Sequence, residues 1–130
     1  MNVLDASALL AFLFRERGHR HVESIISECC IGSVNVSEVL GRFSRDGHDP
    51  HATYLKIEAS PVEIVPFTGE HAVLAAALVP QTKSLGLSIG DRACLALSIS
   101  RNCAALTADR AWSALDLPID IIQIRDGADA

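Results

Sequence analysis

The chain has 130 residues, 49% of them hydrophobic, with a formal net charge of −5 and a sequence pI of 5.4. That length makes one domain (1–130) with a sizeable core, and no apolar run approaches the roughly 18 residues of a membrane span. The acidic balance argues against tight binding of nucleic acid through a broad basic face. No basic region leads into an apolar stretch at the N-terminus, so no secretory signal is read and the expected location is the cytoplasm.

In chain order, residues 2–5 predict a short strand, and 6–15 a helix ended by Gly18. His19 to Glu28 carries Val22, Ile25 and Ile26 at helical spacing. Cys30 to Val34 is a candidate strand, followed by a helix from about Val36 to Arg45 that Gly47 closes. Asp49 or Pro50 opens another helix, to about Ala59. Val62 to Pro66 alternates as a strand does, and Thr68 caps a helix that runs to Leu78, where Pro80 stops it. Ser88 to Ser100 is a strongly apolar helix, Cys103 to Leu106 a strand and Asp109 to Leu115 a short helix. Ile119 to Ile124 is a last, β-branched strand. Strands alternating with helices predict an α/β protein, a three-layer α/β/α sandwich around a small, mostly parallel sheet.

Cys29, Cys30, Cys94 and Cys103 form no C-x-x-C pair and have no histidines at zinc-ligand spacing, so they are expected as reduced, partly buried thiols. The five histidines, His19, His21, His48, His51 and His71, lie in polar stretches and are expected at the surface. Arg15, Arg17 and Arg20 cluster with His19 and His21, and Arg42 and Arg45 form a second group. Each group reads as a solvated helix end.

Four acids stand apart from this background: Asp5, Glu38, Asp91 and Asp109 each sit beside apolar sequence at or near a predicted helix start. Any one of them can be a cap, its oxygens accepting orphan backbone N–H groups. Asn35…Glu38 and Ser88…Asp91 even have capping-box spacing. As a set they say more. In a parallel sheet the turns after successive strands emerge at one edge, which gathers Asp5, Asp109 and, if a strand precedes it, Glu38. Asp91 follows a loop between helices, and periodicity does not place it. Carboxylates brought together raise one another's pKa, and an all-oxygen donor set suits a hard divalent cation, Mg²⁺ or Mn²⁺. Ser7, Asn35 and Thr107 are short polar neighbours able to orient such a group.

The stretches VLDASALLAFLFRE, VNVSEVLGRF, VEIVPFTGEHAVLAAAL, GLSIGDRACLALS and LTADRAWSALDL, in that order, resemble PIN-domain ribonucleases, and among them the VapC toxins of type II toxin–antitoxin modules. The resemblance covers nearly the whole chain and places Asp91 with the other acids. It implies Mg²⁺- or Mn²⁺-assisted hydrolysis of RNA by water, leaving a 3′-hydroxyl and a 5′-phosphate. Asp5, Asp91 and Asp109 carry over as direct or water-mediated metal ligands, and Glu38 as a further ligand or the group that orients the attacking water. It further implies a homodimer and a VapB-like antitoxin whose amphipathic segment docks on the helices at 6–15, 19–28 and 36–45, with an antitoxin Arg or Lys reaching the acidic pocket. A mean hydropathy of +0.28 also points to surface reserved for association.

Arg92 and Arg110, each next to a site acid, either ion-pair with the carboxylates or contact RNA phosphates; ion pairing is the preferred expectation. Asp116 is expected as a solvated residue before the last strand. Two other functions fit less of the sequence. One is a PIN-like module that binds RNA or protein without cutting, which has no use for a costly anionic pocket. The other is a phosphoryl-accepting protein with Asp5 as nucleophile, which wants a lysine after a strand, where neither Lys56 nor Lys83 lies.

Overall fold

A computed structural model of the chain describes residues 1–125; residues 126–130 of the expected 1–130 unit lie outside the described residues. The elements run β1 (Asn2–Leu4), α1 (Ala6–Phe14), α2 (His19–Ile25), β2 (Cys29–Gly32), α3 (Ser33–Arg45), α4 (Pro50–Ala59), β3 (Glu63–Val65), α5 (Gly69–Ala77), α6 (Val79–Thr82), α7 (Ile89–Arg101), β4 (Ala104–Thr107) and β5 (Ile121–Gln123). Short 3₁₀ turns cover Ile26–Glu28, Lys83–Leu85 and Arg110–Ala114.

The five strands lie in the order β3-β2-β1-β4-β5, and every neighbouring pair is parallel. β1 is central, with Leu4 beside Ile31 on one side and Leu106 on the other. Because side chains alternate along a strand, the sheet feeds two cores. Leu4, Ile31, Leu106 and Ile124 pack with Ala8, Leu9, Val22, Val36, Val39 and Ile57 of the helices over one face. Val3, Cys30, Val65 and Ala105 pack with Leu78, Cys94, Leu95, Leu97 and Trp112 over the other. Burial on both faces is why the strands read as apolar runs. The result is the three-layer α/β/α architecture expected from the sequence.

The chain winds from β1 outward to β2 and β3, then returns to place β4 and β5 on the other side of β1. The reversal falls between β1 and β4. Ligands of open parallel sheets bind at that point, outside the carboxyl ends of the strands.

Several boundaries differ from expectation for identifiable reasons. α1 is closed by Arg15 in a left-handed conformation (φ 52°), not by Gly18. Gly18 instead precedes α2 with φ 96°, where a Cβ would strike the Ile124 carbonyl oxygen. α3 begins at Ser33, directly after β2, so Asn35 lies inside the first turn and is not a cap. Pro80 does not stop a helix; it occupies the first turn of α6, where its missing N–H costs nothing. His71 is buried, against expectation, because it closes a capping box: its backbone N–H donates to Thr68 Oγ1 while its Nδ1 accepts from the Thr68 N–H. All four cysteines are free thiols, with Cys29, Cys30 and Cys94 buried. Among the described residues no helix is long and apolar enough to cross a membrane.

Candidate active site

Asp5 is the residue that leaves β1 and caps α1. It is only 4% exposed, and both carboxylate oxygens are engaged. Oδ1 accepts from the Ala8 N–H at 2.8 Å and from Ser7 Oγ at 2.7 Å; Oδ2 accepts from Thr107 Oγ1 at 2.5 Å. These donors favour the charged form, but burial outweighs them, and the Asp91 charge adds to it, so the carboxyl is pushed up from 3.8 to about 6.

Thr107, the last residue of β4, ties Asp5 to Asp109. Its hydroxyl donates to Asp5 and accepts from the Asp109 N–H at 3.0 Å. Ser7 makes a parallel tie, accepting from the Ala108 N–H at 2.9 Å while donating to Asp5. Asp109 caps the Arg110–Ala114 turn through Oδ1, which accepts from the Ala111 N–H, and its side chain lies at the surface.

The other two acids come from α3 and α7, the helices packed beside this edge. Asn35 is buried and its amide nitrogen donates to Glu38 Oε1 at 2.8 Å and to the Gly90 carbonyl at 3.0 Å. Gly90 lets the Glu38 carboxylate approach closely: a Cβ on it would push that exposed side-chain end aside. One residue on, Asp91 completes a capping box, its Oδ2 accepting from the Ser88 N–H. The two halves share a floor at Cys94, fully buried one turn along α7. Its thiol is held well above its usual range, first by burial and then by the charges of Asp5 and Asp91, with Cys30 and Glu38 adding.

Capping is realised at three of the four acids, and three of the four act on common neighbours. Asp5, Asp91 and Asp109 each hold a helix or turn start, and Asp5, Glu38 and Asp91 also press on common neighbours electrostatically. Among the described residues no salt bridge joins a Lys, Arg or His to any of the four acids. Likewise, among the described residues no three His, Cys, Asp or Glu side chains form a ready-made metal site.

The preferred expectation for Arg92 is corrected. Its Nη1 donates to the Leu87 carbonyl at 3.0 Å, across the loop that precedes α7, rather than to a carboxylate. Arg110 is exposed at the start of the 3₁₀ turn, and Asp116 is exposed as expected. Of the basic groups, Arg42 is engaged rather than simply solvated: it pairs with Glu16 at 3.7 Å and Asp46 at 3.9 Å and lies 5.0 Å from the Phe14 ring centre.

Sequence reasoning missed Gly90, Cys94 and Gln123. The last is a lone amide in a β-branched run, and its nitrogen donates to the Asp109 carbonyl.

The PIN-domain family model matches residues 3–117, and the chain belongs to that family. Among solved structures it is similar to FitAcB from Neisseria gonorrhoeae (18% identity, TM-score 0.73, covering 98% of this chain and 100% of the other). It is also similar to VapBC2 from Rickettsia felis bound to a promoter DNA fragment (15%, 0.72, 94% and 97%). A third is VapBC-5, a toxin–antitoxin family member from Mycobacterium tuberculosis (23%, 0.65, 94% and 97%). At these identities the likeness is one of fold. No curated protein sequence matches the chain.

Proposed function

We propose that this chain is a divalent-metal-dependent endoribonuclease, the toxin of a toxin–antitoxin pair. The observation that carries the proposal is Asp5. A carboxylate 4% exposed, at the point where the sheet reverses, faces the charge of Asp91 and has hydroxyls and an N–H, not a cation, as its partners. Burial of that kind is costly, and capping by itself does not call for it, since a cap functions at the surface. The PIN-domain family and the toxin–antitoxin structures of similar fold support the same reading.

The donor set is all oxygen and fits Mg²⁺ or Mn²⁺. Such an ion takes few protein carboxylates and keeps several waters, so it does not call for a three-ligand group among the described residues. Asp5, Asp91 and Asp109 would hold it, with Ser7, Thr107 and Asn35 fixing the carboxylates. When bound, such an ion supplies charge neutralisation and Lewis acidity at the scissile phosphodiester. Glu38, held by Asn35 through one oxygen, would orient the attacking water and take its proton. Attack by water leaves a 3′-hydroxyl and a 5′-phosphate. Arg92 and Arg110, flanking two of the acids in sequence, are the candidate phosphate contacts.

The proposed antitoxin surface is the α1–α2–α3 side. There Phe14, 38% exposed, stacks on Phe43 with ring centres 4.8 Å apart. A groove of about 280 Å³ beside them runs between α1, α3 and α4, lined by Leu13, Phe43, His48, Ala52 and Ile57 with the polar Asp49, Thr53 and Lys56. An amphipathic segment suits it. A homodimer and a cytoplasmic location complete the proposal.

Incubating the antitoxin-free chain with total RNA, in Mg²⁺ or Mn²⁺ and then with EDTA, tests it. Cleavage that the chelator abolishes, giving fragments open to a 5′-phosphate-dependent exonuclease, is the expected result. The competing reading, a module that binds without cutting, draws on the absence of a ready-made three-ligand group among the described residues. It predicts no cleavage with either metal.

A further inference from the structure

We propose that Gln123 is a positioning residue of the acidic site, setting where Asp109 presents its carboxylate. The inference rests on the reading of that site as a metal-dependent nuclease centre.

Gln123 ends β5 and is 8% exposed. Around it the strand is apolar: Ile121, Ile122 and Ile124 fill the two cores. A buried amide there is costly unless its hydrogen bonds are replaced, so a strand selected only for packing would carry another aliphatic side chain. What the amide does is specific. Its nitrogen donates to the Asp109 carbonyl at 2.8 Å and to Ser113 Oγ at 3.1 Å, engaging both ends of the 3₁₀ turn.

Asp109 is thereby gripped from both sides of its Cα. On the amide side its N–H is held by Thr107 Oγ1, whose own proton goes to Asp5. On the carbonyl side it is held by Gln123, with the Trp112 N–H as a second, longer donor at 3.2 Å. Thr107 and Gln123 are partners in the β4–β5 register, so the two clamps are themselves neighbours in the sheet. A continuous chain of bonds runs from the buried Asp5 through Thr107 and Asp109 to Gln123. Asp109 is exposed and its side chain commits one oxygen to the Ala111 N–H. The grips at both ends hold the Asp109 backbone and engage neither carboxylate oxygen.

Gln123 Oε1 strengthens the point. It is buried and has no partner among the described residues. The amide is therefore oriented for its two donated bonds at the expense of its acceptor, which is the signature of a residue retained for what the nitrogen holds.

The test uses Gln123→Met, which keeps the shape and volume of the side chain and removes the donors. The Asp109 carbonyl keeps the Trp112 N–H and Ser113 is exposed, so no buried partner is left unpaired and stability should change little. Mn²⁺ binding to the chain is measured by calorimetry, alongside the Mn²⁺ dependence of RNA cleavage. We expect Mn²⁺ affinity to fall roughly tenfold to a hundredfold, with melting temperature and KM for RNA unchanged. In an Asp109→Asn background Gln123→Met should add nothing, since it acts through Asp109. Ser113→Ala, which removes only the other partner, should leave Mn²⁺ affinity at the wild-type level.

Wild-type Mn²⁺ affinity in Gln123→Met overturns the inference while leaving the nuclease reading intact, as does a loss that is additive with Asp109→Asn. A wild-type chain that neither binds Mn²⁺ nor cuts RNA takes both down. Should Gln123→Met fail to fold, Gln123→Asn carries the same comparison, its amide one methylene short of the Asp109 carbonyl.

Discussion

The two ends of the sheet treat charge in opposite ways. At the amino ends of the strands, Arg101 closes α7 with a two-pronged bond to Glu63 of β3, at 2.8 and 3.1 Å. Glu63 is held below its usual range first by that hydrogen bond, and Arg101 is held above its own by the same partner. At the carboxyl ends Asp5 is buried, bonded to two hydroxyls and one N–H, and pushed up to about 6. One end is a surface ion pair that satisfies itself. The other carries unbalanced negative charge inside the protein, the kind of perturbed group that gathers at functional sites.

The largest effect that sharpens this contrast is on activity. Asp91→Asn keeps an oxygen for the Ser88 N–H and removes only the charge, so the fold should survive. RNA cleavage at saturating Mg²⁺ should fall by about 10²–10³, the usual cost of losing one preorganised electrostatic group. An undiminished cleavage rate would break the contrast, reducing Asp91 to a cap.

Next comes pH. Between 3.8, where the unfolded carboxyl ionises, and about 6 in the folded chain, the folded state binds more protons through Asp5 than the unfolded state does. Stability of the metal-free chain therefore falls as pH rises through that window, by on the order of 3 kcal/mol for a shift of this size. Above it the whole penalty is present. Asp5→Asn should flatten this part of the profile, leaving the metal-free variant more stable than wild type at pH 8. Mn²⁺ should raise the melting temperature of wild type at pH 8 and not of the variant. Thermal melts across pH 4–8 decide the matter, and a profile identical in the two proteins would show that Asp5 does not carry the strain.

Legibility in the sequence followed physical reach. Strand and helix order was readable because both faces of the sheet are buried, leaving runs such as Ala104–Thr107 bounded by turns. Asp5 and Asp109 could be placed because each ends a parallel strand beside the reversal point. Asp91 could not, because its place depends on how α7 packs, and only the resemblance supplied it. Asn35 was misread as a possible cap because Gly32 admits a helix start with no side-chain cap, bringing α3 forward to Ser33. What Asn35 does, bridging Glu38 and the Gly90 carbonyl 55 positions away, is a tertiary contact without local signal. His71 sat in a polar stretch, and nothing nearby foretold that its ring would close a box with Thr68. Gln123 did leave a trace, one amide among isoleucines, but its meaning needed the turn it holds.

The role of Gly90 gives an intermediate effect. Its missing Cβ makes room for the Glu38 carboxylate, an exposed side-chain end that can swing aside, so Gly90→Ala should break the Asn35–Glu38 bond and destabilise the chain by about 0.5–1.5 kcal/mol. Gly41, on α3, is the control, since a Cβ added there would meet nothing within 4 Å. Gly41→Ala should instead stabilise by about 0.5–1 kcal/mol, through helix propensity alone. Paired denaturant titrations read both. Equal responses would show that the approach of α3 to α7 is not as tight as the geometry requires.

The smallest effect belongs to the amino end. Arg101→Gln breaks the bond to Glu63, but both side chains are substantially exposed, 33% and 49%, so solvent screens what the pair contributes. Exposed pairs contribute less than about 1 kcal/mol, and this one lies at the opposite end of the strands from the acids. Melting should shift by no more than a few degrees, and RNA cleavage and Mn²⁺ affinity should match wild type. The low pKa of Glu63 should return toward its ordinary value, visible in an NMR titration of its side chain. If cleavage fell with Arg101→Gln, the two ends would be coupled along α7, whose first turn holds Asp91 and whose last holds Arg101. The charge at the carboxyl end would then be balanced through the helix rather than left for a cation.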